Sequence, residues 1–399
     1  MKILVLNCGS SSIKYKLFEM SKSEVLAQGG IEKIGLEDSF LKLTKPDNQK
    51  VTIHKNIPEH QTGVEMILNV LTSAENGCIQ SLSEIQAVGH RVVHGGEKFN
   101  ESVVITQEVI NKVEECIELA PLHNPSNLIG IRAVESLMPG VPQVAVFDTA
   151  FHQTMPPKAY IYGLPYNYYE NFGIRRYGFH GTSHRYVTKR ACELLGVPYD
   201  HQRIVSAHIG NGASIAAIKN GKSIDTSMGM TPVDGLLMGT RSGEIDAGVL
   251  TFIQDKEHLD HQQLNDLLNK RSGVLGVSGV SSDMREIEDA VKAGNERAIL
   301  AMDMYNYRIK KYVGSYAAVL GGLDILIFTG GVGENQWVTR TDVCANMEYM
   351  GIKIDESKNI GMRGKEMVLS TPDSKVAVLV VPTEEELMIA HDTMELLSK

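Results

Sequence analysis

The sequence predicts an α/β protein with two domains, and three observations lead to this prediction. The chain has 399 residues, which is long for one domain and suits two domains of ordinary size. Hydrophobic residues make up 43% of the chain, enough for two sizeable cores. Short apolar strands alternate with helical patterns, an order typical of α/β layers.

The first element is a predicted strand followed by a turn of small residues. Ile3 to Leu6 is an apolar run, and N-C-G-S-S-S-I-K (Asn7 to Lys14) follows it before a second, alternating strand at 13–17. The apolar run is shorter than the roughly 7–15 residues of a secretion signal, so that interpretation is excluded. Taken alone, the turn favours a solvated hairpin.

A phosphate-binding turn is the alternative interpretation of the same motif. Backbone N–H groups in a turn of small residues form concavities that bind anions. In that case Ser10 and Ser12 donate to phosphate oxygens, and Lys14 supplies a supporting positive charge.

A second strand–glycine turn–strand unit opens the other half of the chain. It spans Ile204 to Ile218, I-V-S-A-H-I-G-N-G-A-S-I-A-A-I, and an Asn-Gly hairpin signal follows it. The repeated unit indicates an internal duplication. Further strands are predicted at 87–93, 144–147, 325–329 and 376–381, and helices at 64–71 and 299–313. We expect domains at 1–150 with a returning helix at 384–399, and at 151–383.

Composition excludes several classes of protein. The formal net charge is −9 with both signs interspersed, so a nucleic-acid partner is not expected. No apolar run approaches the ~18 residues of a membrane helix, so no membrane partner is expected. The five cysteines are odd in number and far apart, without C-x-x-C. This pattern predicts a cytoplasmic protein without a disulfide framework or zinc knuckle.

Two arginines lie in short glycine-flanked segments. Arg91 belongs to G-H-R-V-V-H-G-G and Arg241 to G-T-R-S-G-E. Such positions are poorly explained as surface charge, and arginine suits planar, delocalised anions. We therefore expect both arginines to bind an anion.

Two carboxylates follow predicted strands. Asp148 ends V-A-V-F, where α/β proteins bind ligands, although it could instead cap a following turn. Glu384 follows V-V-P-T. Thr383 and Glu386 predict a capping box there, and the functional alternative for Glu384 is a magnesium ligand.

Three other motifs give weaker signals. N-G-K-S at 220–223 lacks the first glycine of a Walker A loop, since Ala216 occupies that position. G-G-V-G-E-N at 330–335 lacks the third glycine of a dinucleotide fingerprint, yet its glycines allow close approach of a ligand to a strand end; a plain strand–helix turn explains it equally well. His180 and His184 are four apart, but G-F-H-G-T-S-H predicts a poor helix, so zinc is not expected.

Together these stretches resemble the acetate kinase family. The resemblance rests on motifs that span residues 7–386 in the family's order. They are N-C-G-S-S-S-I-K, G-H-R-V-V-H-G-G, P-L-H-N-P, F-D-T-A-F-H, G-F-H-G-T-S-H, H-I-G-N-G-A-S, D-T-S-M-G-M-T-P, G-T-R-S-G, T-G-G-V-G-E-N and V-P-T-E-E-E. Cys8, where Ser or Ala is usual, and Glu244 and Ala247, where Asp and Pro are common, depart from the family pattern without replacing a functional residue.

The resemblance implies a fold and a reaction. The family belongs with sugar kinases, actin and heat-shock chaperone ATPases, in which two duplicated ribonuclease-H-like domains flank a nucleotide-binding cleft. The implied reaction is reversible transfer of phosphate between ATP and acetate, giving ADP and acetyl phosphate, with Mg²⁺, or Mn²⁺ in its place, as cofactor. The resemblance also suggests a homodimer.

The resemblance also assigns roles to individual residues. It implies catalytic roles for Arg91, Asp148, His180 and Arg241, with Arg91 also binding substrate and Asp148 as the family's acid/base residue. The acetate methyl pocket would comprise Val93, Leu122, Phe179 and Pro232. Asn7 and Glu384 would hold the metal. Nucleotide contacts would come from Lys14, His208, Ile209, Gly210, Asn211 and Gly212 at the phosphates, and from Asp283, Met284, Arg285, Gly331, Val332, Gly333, Glu334 and Asn335 at the adenosine.

The ionisation of acetate changes the role expected for Asp148, and two alternative functions remain. Acetate has a pKa near that of Glu, roughly 4.3, so it is already a carboxylate at neutral pH and a general base has almost nothing to remove. We therefore expect Asp148 to orient magnesium-bound water or a substrate-holding arginine. A propionate or butyrate kinase of the same superfamily is the near alternative. A non-catalytic nucleotide clamp is the distant alternative, against which Arg91, His180 and Arg241 argue.

Overall fold

The chain forms two compact units. The computed structural model describes residues 1–22 and 24–398. Unit 1 consists of Met1–Phe151 with Glu384–Lys399, and unit 2 of His152–Thr383. None of the helices formed by these described residues is long and apolar enough to cross a membrane. All five cysteines are free thiols.

Unit 1 contains a mixed eight-stranded sheet. Its strand order is β5-β4-β3-β2-β1-β6-β8-β7, with β1, β6 and β8 parallel and the other pairings antiparallel. The strands are β1 (Lys2–Cys8), β2 (Ser12–Glu19), β3 (Glu24–Glu32), β4 (Phe40–Thr44), β5 (Lys50–His54), β6 (Ile85–Val92), β7 (Val103–Val104) and β8 (Gln143–Phe147), and the helices before residue 151 are α1 (His60–Leu71), α2 (Gln107–Glu115) and α3 (Asn124–Leu137).

Unit 2 contains a mixed six-stranded sheet in the order β11-β10-β9-β12-β14-β13. Its strands are β9 (Arg203–Ile209), β10 (Ala213–Lys219), β11 (Lys222–Thr226), β12 (Ile325–Thr329), β13 (Met367–Val368) and β14 (Ala377–Val380). Its helices are α4 (Pro157–Tyr160), α5 (Asn167–Phe172), α6 (Gly181–Leu195), α7 (Ala247–Glu257), α8 (His261–Lys270), α9 (Gly273–Ser278), α10 (Met284–Lys292), α11 (Glu296–Leu320), α12 (Gly330–Asn335), α13 (Trp337–Cys344) and α14 (Glu356–Asn359).

The two sheets share one five-strand arrangement. In unit 1 the order β3-β2-β1-β6-β8 has the same directions as β11-β10-β9-β12-β14 in unit 2. The α/β class predicted from the sequence is therefore confirmed, and the repeated strand–turn–strand unit is β1–β2 in one sheet and β9–β10 in the other. The eight predicted strands and both predicted helices overlap observed elements of the same type.

The central strands are apolar because both of their faces are covered. Residues 3–6 of β1 are fully buried, and every residue of β8 and β12 is buried. Continuous apolar runs are typical of parallel strands between two layers. The long helix α11 begins at an N-cap, Asn295, whose side chain accepts from the Ala298 N–H, and it ends at Gly321 in the left-handed conformation (φ 74°).

The last helix, α15 (Glu385–Leu397), belongs to unit 1. Ile389 and Ala390 pack in one cluster with Ile3 and Val5 of β1. A Cβ atom at Gly89 of β6 would lie 2.6 Å from Ile389 Cγ2, so glycine is required for the helix to approach the sheet this closely.

Two local predictions were wrong. The capping box at Thr383 and Glu386 does not form: Glu384 is the N-cap of α15 and makes no side-chain capping hydrogen bond. The Thr383 hydroxyl instead lies 2.7 Å from Ser183 Oγ, a partner 200 residues away. The segment G-F-H-G-T-S-H does open a helix, α6, because the left-handed conformation of His180 (φ 56°) lets the chain turn into it at Gly181.

Candidate active site

The turn between β1 and β2 is fixed by buried groups from other elements. The Gly9 N–H donates to Ser12 O at 2.8 Å, and His60 Nε2 lies 2.6 Å from Gly9 O. Asn127 Nδ2 on α3 donates to Cys8 O at 2.8 Å. These bonds occupy the backbone on the protein side of the turn and hold its shape.

The opposite side of this turn carries the predicted phosphate ligands. Ser10 and Lys14 are exposed, and Ser12 is half-buried. Lys14 is the direct cross-strand partner of Asn7, so the structure brings the predicted metal residue and the predicted phosphate charge side by side.

Arg91 and Asp148 form a bidentate pair at adjacent strand ends. Arg91 Nε lies 3.0 Å from Asp148 Oδ1, and Arg91 Nη2 lies 2.6 Å from Asp148 Oδ2. Asp148 is 1% exposed, and Arg91 Nη1 donates to Asn7 Oδ1 at 3.4 Å. Burial opposes the charge of Arg91, but the nearby Asp148 and Glu385 carboxylates outweigh it and raise the pKa of the guanidinium. Asp148 therefore fixes the plane and the charge of Arg91.

Glu385 joins this group and was missed by the sequence reasoning. Burial raises the pKa of Glu385 to about 7. The nearby Asp148 carboxylate also raises this pKa, whereas Arg91 lowers it. Glu384, in contrast, is 44% exposed and pairs with Lys16 Nζ at 2.9 Å. The signal for Glu385 was the E-E-E run at 384–386, which a helix start explains equally well.

The predicted methyl-pocket residues differ in burial. In unit 1, Val93 is buried and its N–H donates to Asn127 Oδ1 at 3.0 Å, whereas Leu122 is 60% exposed. In unit 2, Phe179 is buried and Pro232 is half-buried.

His180 is held by two neighbours in unit 2. Its Nδ1 atom lies 2.9 Å from Ser214 Oγ, and its ring stacks on His208 with centroids 4.2 Å apart. His208 Nδ1 lies 2.8 Å from Ser183 Oγ. His180 has a positive φ of 56°, which is uncommon for a non-glycine residue, and such residues are concentrated at functional sites.

Arg241 lies beside His180 without a carboxylate partner. Its Nη1 atom donates to Pro232 O at 3.4 Å and lies 3.8 Å from Met238 Sδ, and both partners are neutral. In the described part of the chain no carboxylate lies within ion-pair distance of this guanidinium, and burial lowers its pKa. A Cβ atom at Gly212 would lie 3.4 Å from Arg241 Nη1 and 3.8 Å from His180 Nε2, so the glycine turn directly faces both side chains.

A cavity of about 690 Å³ in unit 2 brings three of the predicted nucleotide motifs together. They are the β9–β10 turn, the start of α10 and the short helix α12. The cavity is lined by Gly210, Asn211, Ser282, Asp283, Met284, Arg285, Glu288, Gly331, Val332, Asn335, Gln336 and Arg363. Of these, Ser282, Glu288, Gln336 and Arg363 were missed: the first three lie next to predicted motifs, but no local signal marks Arg363.

Several predicted nucleotide residues do not line this cavity. Glu334 Oε1 accepts from the backbone N–H groups of Gly330 at 2.9 Å and Thr383 at 3.1 Å. Gly333 O accepts from the fully buried Arg340 at 2.8 Å. These contacts hold α12 in place behind the cavity. Ile209 is fully buried, and His208 and Gly212 lie with the His180 group instead.

The comparisons with known proteins cover nearly the whole chain and indicate the same family. Residues 2–391 match the model of the acetokinase family. A curated acetate kinase from Parabacteroides distasonis is 70% identical over 399 residues, 100% of each chain. A crystal structure of Porphyromonas gingivalis acetate kinase is 67% identical, covers 99% of each chain and has a TM-score of 0.96. A propionate kinase from Francisella tularensis is 41% identical over 99% of each chain, with a TM-score of 0.92.

Proposed function

Since the chain belongs to the acetokinase family, we propose how its residues move a phosphoryl group between ATP and acetate. Its function is that of an acetate kinase, a phosphotransferase whose acceptor is a carboxyl group. The proposed reaction is a direct in-line attack of the acetate carboxylate on the γ-phosphoryl group of ATP, giving acetyl phosphate and ADP.

Arg91 binds the acetate carboxylate, and Asp148 positions Arg91. Acetate needs no base, because its pKa is near the roughly 4.3 of Glu and it is ionised at neutral pH. The buried Asp148 carboxylate already accepts two hydrogen bonds from Arg91. A positioning role uses this geometry fully, whereas a proton-transfer role would require the pair to separate.

Arg241 and His180 stabilise the charge on the equatorial oxygens of the transferring phosphoryl group. The observation that carries this proposal is the partly buried Arg241 guanidinium, which has only neutral partners. A desolvated cation without a counter-ion is unfavourable unless a ligand supplies the negative charge. Phosphoryl transfer places such charge on three oxygens at once, and electrostatic stabilisation there is the main work of a kinase.

The 690 Å³ cavity holds the nucleoside of ATP, and the two glycine turns contact its phosphates. Asn211 lies both in the β9–β10 turn and on the cavity wall, so this residue connects the two regions within unit 2. The exposed Ser10 hydroxyl and Lys14 charge supply the remaining phosphate contacts from unit 1.

Asn7 and Glu384 suit Mg²⁺, or Mn²⁺ in its place. Both offer the oxygen ligands that hard cations prefer. Among the described residues, no group of three or more His, Cys, Asp and Glu side chains could hold a metal ion. Mg²⁺ usually binds through one or two protein oxygens together with waters and phosphates, so two such ligands are enough. When bound, the metal neutralises charge on the β- and γ-phosphates.

A propionate kinase is the second candidate, because a structure of that activity is similar over the whole chain. A hydroxamate assay with ATP, Mg²⁺ and each of acetate, propionate and butyrate distinguishes the two. We expect the highest kcat/KM with acetate. A preference for propionate or butyrate contradicts the acetate assignment, and absence of acyl phosphate with all three acids favours a non-catalytic nucleotide clamp.

We also propose a cytoplasmic homodimer. All five cysteines are free thiols, as suits a reducing compartment. Helices α7 and α8 contain no buried residue, and Phe252 on α7 is 62% exposed. These helices are the part of unit 2 that a second copy would cover. Sedimentation equilibrium of the wild type and of Phe252→Glu tests this: we expect a dimer weakened by the substitution, and a monomeric wild type contradicts it.

A further inference from the structure

A buried chain of hydroxyl and imidazole groups begins at His180 and leads away from it into unit 2. His180 Nδ1 lies 2.9 Å from Ser214 Oγ, and Ser214 Oγ lies 2.8 Å from His184 Nε2. His184 Nδ1 lies 2.9 Å from Ser206 Oγ. Ser214, His184 and Ser206 are all fully buried. None of these three contacts substrate in the mechanism above.

The β9–β10 register explains this alignment. Ser214 is paired with His208 on β9, and Ser206 lies two residues before His208. Side chains two residues apart on a strand point to the same face, so both hydroxyls face α6. His184 on α6 therefore reaches one serine with each ring nitrogen.

The number of available protons constrains the chain. The Ser214 hydroxyl has a single hydrogen to donate, and two imidazole nitrogens lie within hydrogen-bond distance of it. One of these nitrogens can accept, and the other must therefore donate its own N–H. Burial lowers the pKa of His184 well below its usual range, with smaller effects of His152 and His208, so His184 stays neutral and carries one proton.

We propose that Ser214 is a positioning residue for His180. The Ser214 hydroxyl accepts a hydrogen bond from His180 when His180 is protonated and donates one when His180 is neutral. When His180 is a cation, its Nδ1–H donates to Ser214, Ser214 donates to His184 Nε2, and the His184 Nδ1–H donates to Ser206. When His180 is neutral, Ser214 donates to His180 Nδ1, the His184 Nε2–H donates to Ser214, and Ser206 donates to His184 Nδ1.

The two arrangements balance in protons. Each of the three groups, Ser214, His184 and Ser206, carries one exchangeable proton in both arrangements. The arrangements differ by a single proton, which belongs to His180 and exchanges with solvent. In both arrangements His180 Nε2 carries an N–H, which is the donor that the proposed function assigns to the phosphoryl oxygens. Arg241 and the stacked His208 also neighbour this ring, and they affect the midpoint of its titration but not the direction of the reversal.

The first test uses the intact wild-type protein without substrate, so its outcome does not depend on the proposed function. Long-range ¹H–¹⁵N spectra of ¹⁵N-histidine-labelled protein are recorded from pH 5 to 9, and His180→Ala and His184→Gln assign the two rings. We expect the ¹⁵N chemical shifts of the two His184 ring nitrogens to interchange at the midpoint of the His180 titration. The protonated nitrogen takes the shift of an unprotonated one, and the unprotonated nitrogen takes the shift of a protonated one. Constant His184 shifts through that titration, or a His180 that does not titrate in this range, overturn the proposal.

The second test removes the hydroxyl. In Ser214→Ala we expect a kcat about tenfold lower, because one hydrogen bond to a charged group is lost, with both KM values within about twofold of wild type. The midpoint of the His180 titration should fall by about one unit, and Ser214→Thr should restore it. Ser223→Ala is the matched control, since it removes a buried hydroxyl 2.8 Å from His152 Nδ1 and should leave the midpoint unchanged. A wild-type midpoint and kcat in Ser214→Ala overturn the proposal.

Discussion

Replacement of Asp148 by Asn separates the two roles that a buried carboxylate beside Arg91 could have. In the wild type, Arg91 donates to Asp148 through Nε at 3.0 Å and through Nη2 at 2.6 Å. The amide keeps the shape and one acceptor oxygen, but it presents an NH₂ group to the second arginine donor. One charge-assisted hydrogen bond is thus lost, and the other keeps only the charge of its arginine donor.

The expected magnitude follows from these contacts. Hydrogen bonds to charged groups contribute about 1.5–3 kcal/mol and neutral ones about 0.5–1.5 kcal/mol. The substitution should therefore cost about 2–4 kcal/mol, or a decrease of about 30- to 1000-fold in kcat/KM for acetate. If Asp148 positions Arg91, the variant keeps the shape of the wild-type pH–rate profile at this lower level, measured by the hydroxamate assay between pH 5 and 9.

A different outcome would refute the positioning role. Rescue of Asp148→Asn as the pH rises, or loss of the basic limb of its profile, would mean that Asp148 transfers a proton. Asp324→Asn in unit 2 is a control, because Asp324 pairs with Arg203 in the same fork, at 3.0 Å and 2.6 Å. We expect near-normal kinetics from that variant.

Four further predictions concern other parts of the molecule. Arg241→Ala should lower kcat/KM on the order of 10³-fold in the coupled ATP assay, and near-normal turnover contradicts its assignment. Val93→Ala should raise the propionate-to-acetate ratio of kcat/KM about tenfold, since one methylene is discriminated by ~1–3 kcal/mol; an unchanged ratio removes Val93 from the pocket. Gly89→Ala should lower the free energy of unfolding in urea by about 1–3 kcal/mol, because its Cβ would lie 2.6 Å from Ile389 Cγ2; full stability would show that α15 can shift. Burial lowers the pKa of His90 to about 4, whereas a histidine in the unfolded state has a pKa near 6.5. As the pH falls below 6.5, the unfolded state therefore binds a proton that the folded state does not. The free energy of unfolding is unaffected by this group above pH 6.5 and decreases by up to about 3 kcal/mol toward pH 4. His90→Gln should flatten this dependence in urea titrations, and an unchanged slope assigns it to other groups.

The sequence was sufficient to predict those elements whose structure is determined by a local pattern of residues. Apolar runs located the central strands, and the glycine turns at Asn7 to Lys14 and 210–212 could be found from their small residues alone. Arg91 and Asp148 were each predicted at a strand end. Their pairing depends on β6 and β8 being neighbours in the sheet, which sequence order does not specify.

The predictions that failed depended on long-range partners. Thr383 has the spacing of a capping residue, but Ser183 competes for its hydroxyl. Glu385 is half-buried near Arg91 and Asp148, whereas its acidic neighbours Glu384 and Glu386 pair with Lys16. Arg363 lines the 690 Å³ cavity of unit 2 from a loop without a motif. Zinc was not expected at His180 and His184 because the segment predicted a poor helix, but the helix forms. Serine hydroxyls contact both ring nitrogens of His184.

The position of α15 has a consequence for biosynthesis. The core of unit 1 includes Ile389 and Ala390, which are synthesised only after the whole of unit 2. At about 5–20 residues per second, synthesis of the intervening unit 2 takes on the order of ten to fifty seconds. During that time the face of β1 and β6 that α15 will cover exposes Ile3 and Val5. Unit 2 can therefore finish folding before unit 1, which reverses the usual N-terminal-first order.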